Sequence, residues 1–231
     1  MKKTLRWILN VGLALTSGFT GLSHTASATS SETSPAITIY VHNYAGVSPK
    51  TLTEAEDIAT GIFRKAGLEA RWVDTGPNAE KNAVNSNQHP ALTLADIQLS
   101  ILSRKMSDRF GLPNNVMGLA PGMGPDREMV YVSGSRVDAF YWKMLSAHGN
   151  GPTAPQVSKA QILGHAIAHE VGHLLLNLQV HSERGIMRGE WGPAEMWDAA
   201  YGMLLFTPEQ AELLRADVRR RSEKQNTLEA D

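Results

Sequence analysis

Residues 169–187 read HEVGHLLLNLQVHSERGIM, which places three histidines, a glutamate and a methionine in one short stretch. His169, Glu170 and His173 form the pattern H-E-x-x-H. On a helix, positions i and i+4 lie on one face, so the imidazoles of His169 and His173 can converge on one metal ion. Glu170, one position further on, points beside that ion rather than at it. A carboxylate there can take the proton of a water, while an ion such as zinc makes the resulting hydroxide nucleophilic. The chemistry this suggests is metal-assisted hydrolysis of an amide.

The neighbours sharpen the point. Ile167, Ala168, Val171, Leu174, Leu175 and Leu176 make the predicted helix strongly apolar, and an apolar setting penalises titratable groups that have no partner. Gly172 costs about 1 kcal/mol relative to Ala in mid-helix, so close packing on that side is expected. Asn177 tolerates left-handed dihedrals. A helix ending there lets the chain turn back and bring His181 to the metal as the third ligand.

His165 lies one turn before His169 and is either a partner of the ligands or a helix-surface group, because three successive i,i+4 histidines cannot all reach one ion. Glu195, in PAEMWDAA on the next predicted helix, is an alternative metal ligand. With Asp198 one turn beyond it, this somewhat resembles the glutamate-zinc peptidases, in which a second helix supplies the third ligand and an acidic residue buttresses a histidine. Otherwise Glu195 is a solvated carboxylate.

A larger fold must hold this helix, and the patterning predicts one. AITIYVHNY (36–44) reads as a first strand. From Thr51 to Lys65, Leu52, Ala55, Ile58, Ala59, Ile62 and Phe63 recur at helical spacing until Gly67 stops the run. EARWVD (69–74) is a second strand, and 75–90 a polar loop. ADIQLSIL (95–102) alternates Ile97, Leu99 and Ile101 with Gln98 and Ser100, the period of a half-buried strand.

Gly111–Pro125 predicts a long, mobile surface segment around a short strand in VMGLA. MVYVSG (129–134) is another strand, placed at the sheet edge where an extended peptide could pair, and 137–147 a short helix. The rest is helical: from Ser158 through Leu176, from Pro193 to about Leu205, and from Pro208 to about Glu223. The layout is an α/β (α+β) domain with a stranded N-terminal half, a helical C-terminal half and a cleft between them.

HEVGHLLL, HS and GIM together resemble the metzincin-type zinc metallopeptidases, nearest the matrixin branch. There H-E-x-x-H leads through a glycine to a third histidine and then to a methionine turn. ADIQLSI (95–101) is similar to the alanine-aspartate-isoleucine strand of that branch. The resemblance implies a zincin domain with a twisted mixed sheet and an active-site helix. It implies one catalytic Zn2+ on His169, His173 and His181, Glu170 as general base, and Met187 as the turn methionine. The chain departs from the pattern at three points. The third histidine comes twelve residues after the first, whereas the usual ten would fall on Gln179. Leu176 stands where the usual glycine would fall, with Asn177 following. Gly189 stands where some branches carry a tyrosine, a role with no obvious candidate in the sequence, although the fold could deliver Tyr201.

Composition bounds the class. Residues 1–28 combine Lys2, Lys3 and Arg6 with an apolar run and Ala26-Ser27-Ala28, the form of a bacterial secretory signal. Asn10, Thr16, Ser17 and Thr20 interrupt the run, which argues against stable membrane insertion. Residues 29–35 are Ser/Thr-rich and read as disordered, leaving 36–231 as one domain. Without residues 1–28 the chain carries 19 basic against 23 acidic residues, a formal charge of −4. No basic block points to nucleic acid, and the run Arg219-Arg220-Arg221 reads as a solvated helix end. The absence of cysteine excludes a thiol nucleophile, a cysteine metal site and disulfides.

The expectation is an exported zinc-dependent metalloendopeptidase, periplasmic or released to the medium, acting on a peptide or protein substrate. The alternatives are an exported zinc-binding domain without turnover, hydrolysis of a non-protein amide such as a cell-wall peptide, and a glutamate-zinc peptidase ligated by Glu195.

Overall fold

Ile37, Ile39 and Val41 are fully buried in the computed structural model, and their period of two makes β1 (Ala36–Asn43) a strand. The structure describes residues 34–76, 93–121, 128–148, 157–177 and 181–230. The signal at 1–28, residues 29–33 and most of the 75–90 loop lie outside the described residues.

β1 runs parallel to β2 (Glu69–Asp74) on one side and to β3 (Asp96–Leu102) on the other. Beyond β3, β5 (Met129–Ser133) is also parallel, and β4 (Gly118–Leu119) closes that side antiparallel to β5. The order β2-β1-β3-β5-β4 corrects one expectation. The strand at 129–133 is interior, because β4 pairs along its outer side and is the last strand on that side of the sheet. β3 is also more buried than its alternation predicts: Ser100 is 5% exposed and Asp96 6%. Parallel sheets are commonly covered on both faces, and α3 (Gly134–His148) packs on β3 here.

α1 (Pro49–Lys65) crosses from β1 to β2. Ser48 caps it by accepting the Thr51 amide at 3.2 Å, a contact of the kind that typically contributes about 1 kcal/mol. Its apolar face packs along α4 (Lys159–Leu176), which also lies against β5 and β4. α2 (Arg104–Arg109), capped by Ser103, is a short helix that apolar periodicity did not reveal. Its one buried residue is Ser107, so it has no apolar stripe to read.

The C-terminal half is helical as expected, with two changes of boundary. α5 (Pro193–Ala200) stops before Leu205. Met203 and Leu204 instead return their amides to the Asp198 carbonyl, and the Leu205 carbonyl accepts the Ile186 amide at 2.9 Å. Leaving the helix buries Leu204 and Phe206 in the core. α6 (Pro208–Ala230) runs past Glu223. Its arginines are more than a solvated end: Arg220 and Arg221 both pair with the buried Asp217 carboxylate, and Arg221 also reaches the Leu94 carbonyl. No helix among the described residues is long and apolar enough to cross a membrane.

Glu56 on α1 gives a stability prediction. Burial pushes its carboxyl up to about 7, with Asp74 and Asp57 adding to the shift. A carboxyl whose folded pKa lies above its unfolded value of 4.5 favours the fold in its protonated form. The cost of its charge is therefore absent below pH 4.5, grows as pH rises, and is complete above about 7. Allowing for solvent screening, Glu56→Gln is expected to add about 1 kcal/mol of stability at pH 8 and nothing at pH 4. Urea unfolding at the two pH values checks this, and equal effects at both would refute it.

Candidate metal centre

α4 is apolar almost all round, and nearly every residue from Ala160 to Leu175 is buried. That pattern belongs to a helix packed on every side. Ser158 starts it with a capping box: its hydroxyl accepts the Gln161 amide at 3.1 Å, and its own amide donates to the Gln161 side chain at 2.8 Å. Asn177 ends it in the left-handed conformation, φ 49°, with its amide donating to the His173 carbonyl. The left-handed helix end expected at Asn177 is therefore present.

His169 and His173 meet on one face of α4, with their Nε2 atoms 3.1 Å apart. Two nitrogens bound tetrahedrally to one zinc-sized ion would lie roughly 3.3 Å apart. His181 joins them from outside the helix. One ligating nitrogen from each of the three lies within 4.8 Å of the others, and this is the one such group among the described residues. His169 and His173 are each 8% exposed, whereas His181 is exposed. The His181 ring centroid lies 4.9 Å from that of His173 and 5.4 Å from that of His169. The two additional residues between the second and third histidines thus still return His181 to the pair. The three side chains could hold a metal ion.

The tautomer of the first histidine suits that role. His169 Nδ1 donates to the Ile186 carbonyl at 2.7 Å, which leaves the Nε2 lone pair directed to the cluster. Burial lowers the pKa of its imidazole to about 4; the Ile186 carbonyl opposes this, and His173 and His181 add to it. The ring is neutral at pH 7, the state in which imidazole ligates metals.

Glu170 is 6% exposed, and burial raises its carboxyl to about 8. A cation on the three imidazoles would favour the carboxylate form again. The backbone of β4 lies directly over this side chain. A Cβ built on Gly118 would stand 2.5 Å from Glu170 Cγ and 2.6 Å from both Cδ and Oε1. Gly118 therefore lets the sheet edge approach the carboxylate, a role the sequence did not mark beyond placing Gly118 in the short VMGLA strand.

Met187 is 1% exposed and packs beneath the helix. A Cβ at Gly172 would come within 2.6 Å of Met187 Sδ and 2.7 Å of Phe206 Cε1. This is the close packing that a mid-helix glycine announced.

His165 is buried, not on a helix surface. Its Nδ1 donates to the Gln161 carbonyl at 2.7 Å, and its ring meets Trp191 edge-on at 6.4 Å. Trp191 also stands edge-on to His169 at 5.6 Å, so it borders the centre as well as packing on the core.

Glu195 is not among the gathered side chains. Its Oε1 accepts from Arg188 Nη1 at 2.5 Å and its Oε2 from the Gly192 amide at 2.7 Å. These donors hold its carboxyl below the usual range, outweighing the opposing effect of burial. Tyr201 is 65% exposed at the end of α5, stacked on Trp197 at 5.6 Å.

No protein-family model matches this chain, and a search of curated proteins finds no match.

Proposed function

We propose that this chain is an exported zinc-dependent metalloendopeptidase of the metzincin type, with His169, His173 and His181 holding one Zn2+ and Glu170 as general base. The observation that carries the reading is the convergence of three imidazoles from a helix and a returning loop beside a buried carboxylate. An all-imidazole donor set suits zinc and related borderline metals. Zinc, when bound, supplies Lewis acidity toward water and the scissile carbonyl. Glu170 takes the proton of the attacking water and passes it to the leaving amine nitrogen. Met187 supplies an apolar floor. β4, the outer strand beside Glu170, offers main-chain groups to an extended peptide. Export to the periplasm or medium follows from the residues 1–28 signal, and the substrate is a peptide or protein.

The test is elemental mass spectrometry of the purified protein after zinc reconstitution, with His181→Ala in parallel. One zinc per chain is expected. His181→Ala should weaken it by more than the roughly 10–100-fold that changes to outer partners cost. Failure of the unmutated protein to bind a transition metal would sink the proposal.

A further inference from the structure

We infer that Glu195, acting through Arg188, is a positioning residue for the third ligand, His181. The inference rests on the three-histidine reading of the metal centre. His169 and His173 are held by α4 itself, whereas His181 sits on a loop and is the exposed member of the three. What holds it lies in the residues that follow. The Ser182 amide donates to the Met187 carbonyl at 2.9 Å, and Ser182 pairs with Arg188 in an isolated parallel bridge. The Ser182 hydroxyl closes the turn on the Arg184 carbonyl at 2.7 Å. Gly189 lies against the imidazole itself, since a Cβ there would stand 2.7 Å from His181 Nδ1 and 2.8 Å from Cγ.

The backbone at 188–189 is therefore the surface on which the His181 ring rests. Its anchor is Glu195. That carboxylate is 8% exposed, and its two oxygens serve two different parts of the same loop. One takes the Arg188 guanidinium and the other takes the Gly192 amide at the start of α5. Charge-assisted hydrogen bonds with one partner buried resist solvent screening better than an exposed pair does. The 188–192 segment is thus pinned at both ends to one helix. Met187, on the near side of Arg188, has its own anchorage in the core beside Gly172 and Phe206. Loss of the Glu195 contacts consequently falls on His181 and spares His169 and His173.

The experiment is zinc affinity by chelator competition on the purified protein, for Arg188→Ala, Glu195→Ala and the double variant, each made with His181 intact and in a His181→Ala background. With His181 present, each single change should weaken zinc by about 10-fold or more, as outer partners of ligands do. The double variant should be no weaker than Glu195→Ala alone, which already removes both the Arg188 and the Gly192 contacts. Arg188→Lys should stay within about 3-fold of the parent, because one nitrogen makes the contact and a lysine keeps the charge. In the His181→Ala background, none of these changes should weaken zinc further. A role confined to general stability would weaken zinc equally in both backgrounds, and that result overturns the inference. Loss with Glu195→Ala but not with Arg188→Ala overturns it too, in favour of Glu195 as a direct ligand. Affinity insensitive to His181→Ala alone would sink the three-histidine reading itself, and the inference with it.

Discussion

Replacing Glu170 with Gln is expected to lower peptide hydrolysis about 1,000-fold, the scale of a lost general base, while leaving one zinc per chain. The two side chains are nearly isosteric, so Gln fits the same buried place under β4. The histidine cluster does not depend on the carboxylate: His169 is oriented by the Ile186 carbonyl, and His181 is carried by its own loop. What changes is proton transfer, since a carboxamide cannot accept the proton of water. Turnover of a quenched peptide library, measured beside metal content, separates the two effects. Retained turnover in a zinc-loaded variant would remove Glu170 from the mechanism. An unmutated protein that binds zinc yet cleaves no peptide would favour a zinc-binding domain without turnover or a non-protein amide substrate.

Gly118→Ala should give the second large effect, and from the opposite side of the same carboxylate. A methyl group at this position meets Glu170 Cγ, Cδ and Oε1 at 2.5–2.6 Å, closer than non-bonded carbon atoms approach. Glu170 is 6% exposed, so its side chain is largely enclosed by neighbouring atoms. Either β4 lifts or the carboxylate shifts, and misplacing a reacting group by about 1 Å can cost roughly 100-fold in rate. Overpacking of this kind also costs about 1–3 kcal/mol of stability. Activity is expected to fall by roughly 10–100-fold with zinc content unchanged. Parental activity in the Gly118→Ala variant would mean that the working carboxylate does not occupy the place seen beneath β4. Thermal unfolding of the metal-free variant reads the stability cost separately.

Much of the centre was visible in residue order. H-E-x-x-H needs only helical periodicity to put two imidazoles on one face, and the apolar neighbours of α4 reported its burial. Asn177 announced the helix end because few other side chains accept a left-handed backbone. Gly172 announced a close neighbour because a glycine in mid-helix is otherwise a net cost. Those are local facts, set by chirality and the 3.6-residue turn, and sequence carries them directly.

The tertiary structure decided the rest because it depends on chain segments distant in sequence. That β4, and not 129–133, forms the sheet edge depends on strand order, which no local pattern encodes. Gly118 meets Glu170 across more than fifty positions, so its role had no periodic signature. α5 ends at Ala200 because burying Leu204 and Phe206 and pairing Leu205 with Ile186 outweigh continuing the helix. Glu195 could be read from sequence as a metal ligand or a solvated carboxylate, and its contacts with Arg188 and Gly192 make it neither a gathered ligand nor a free charge. Periodicity determines which face a side chain occupies. Which atom it meets there is decided by packing between elements that are far apart along the chain.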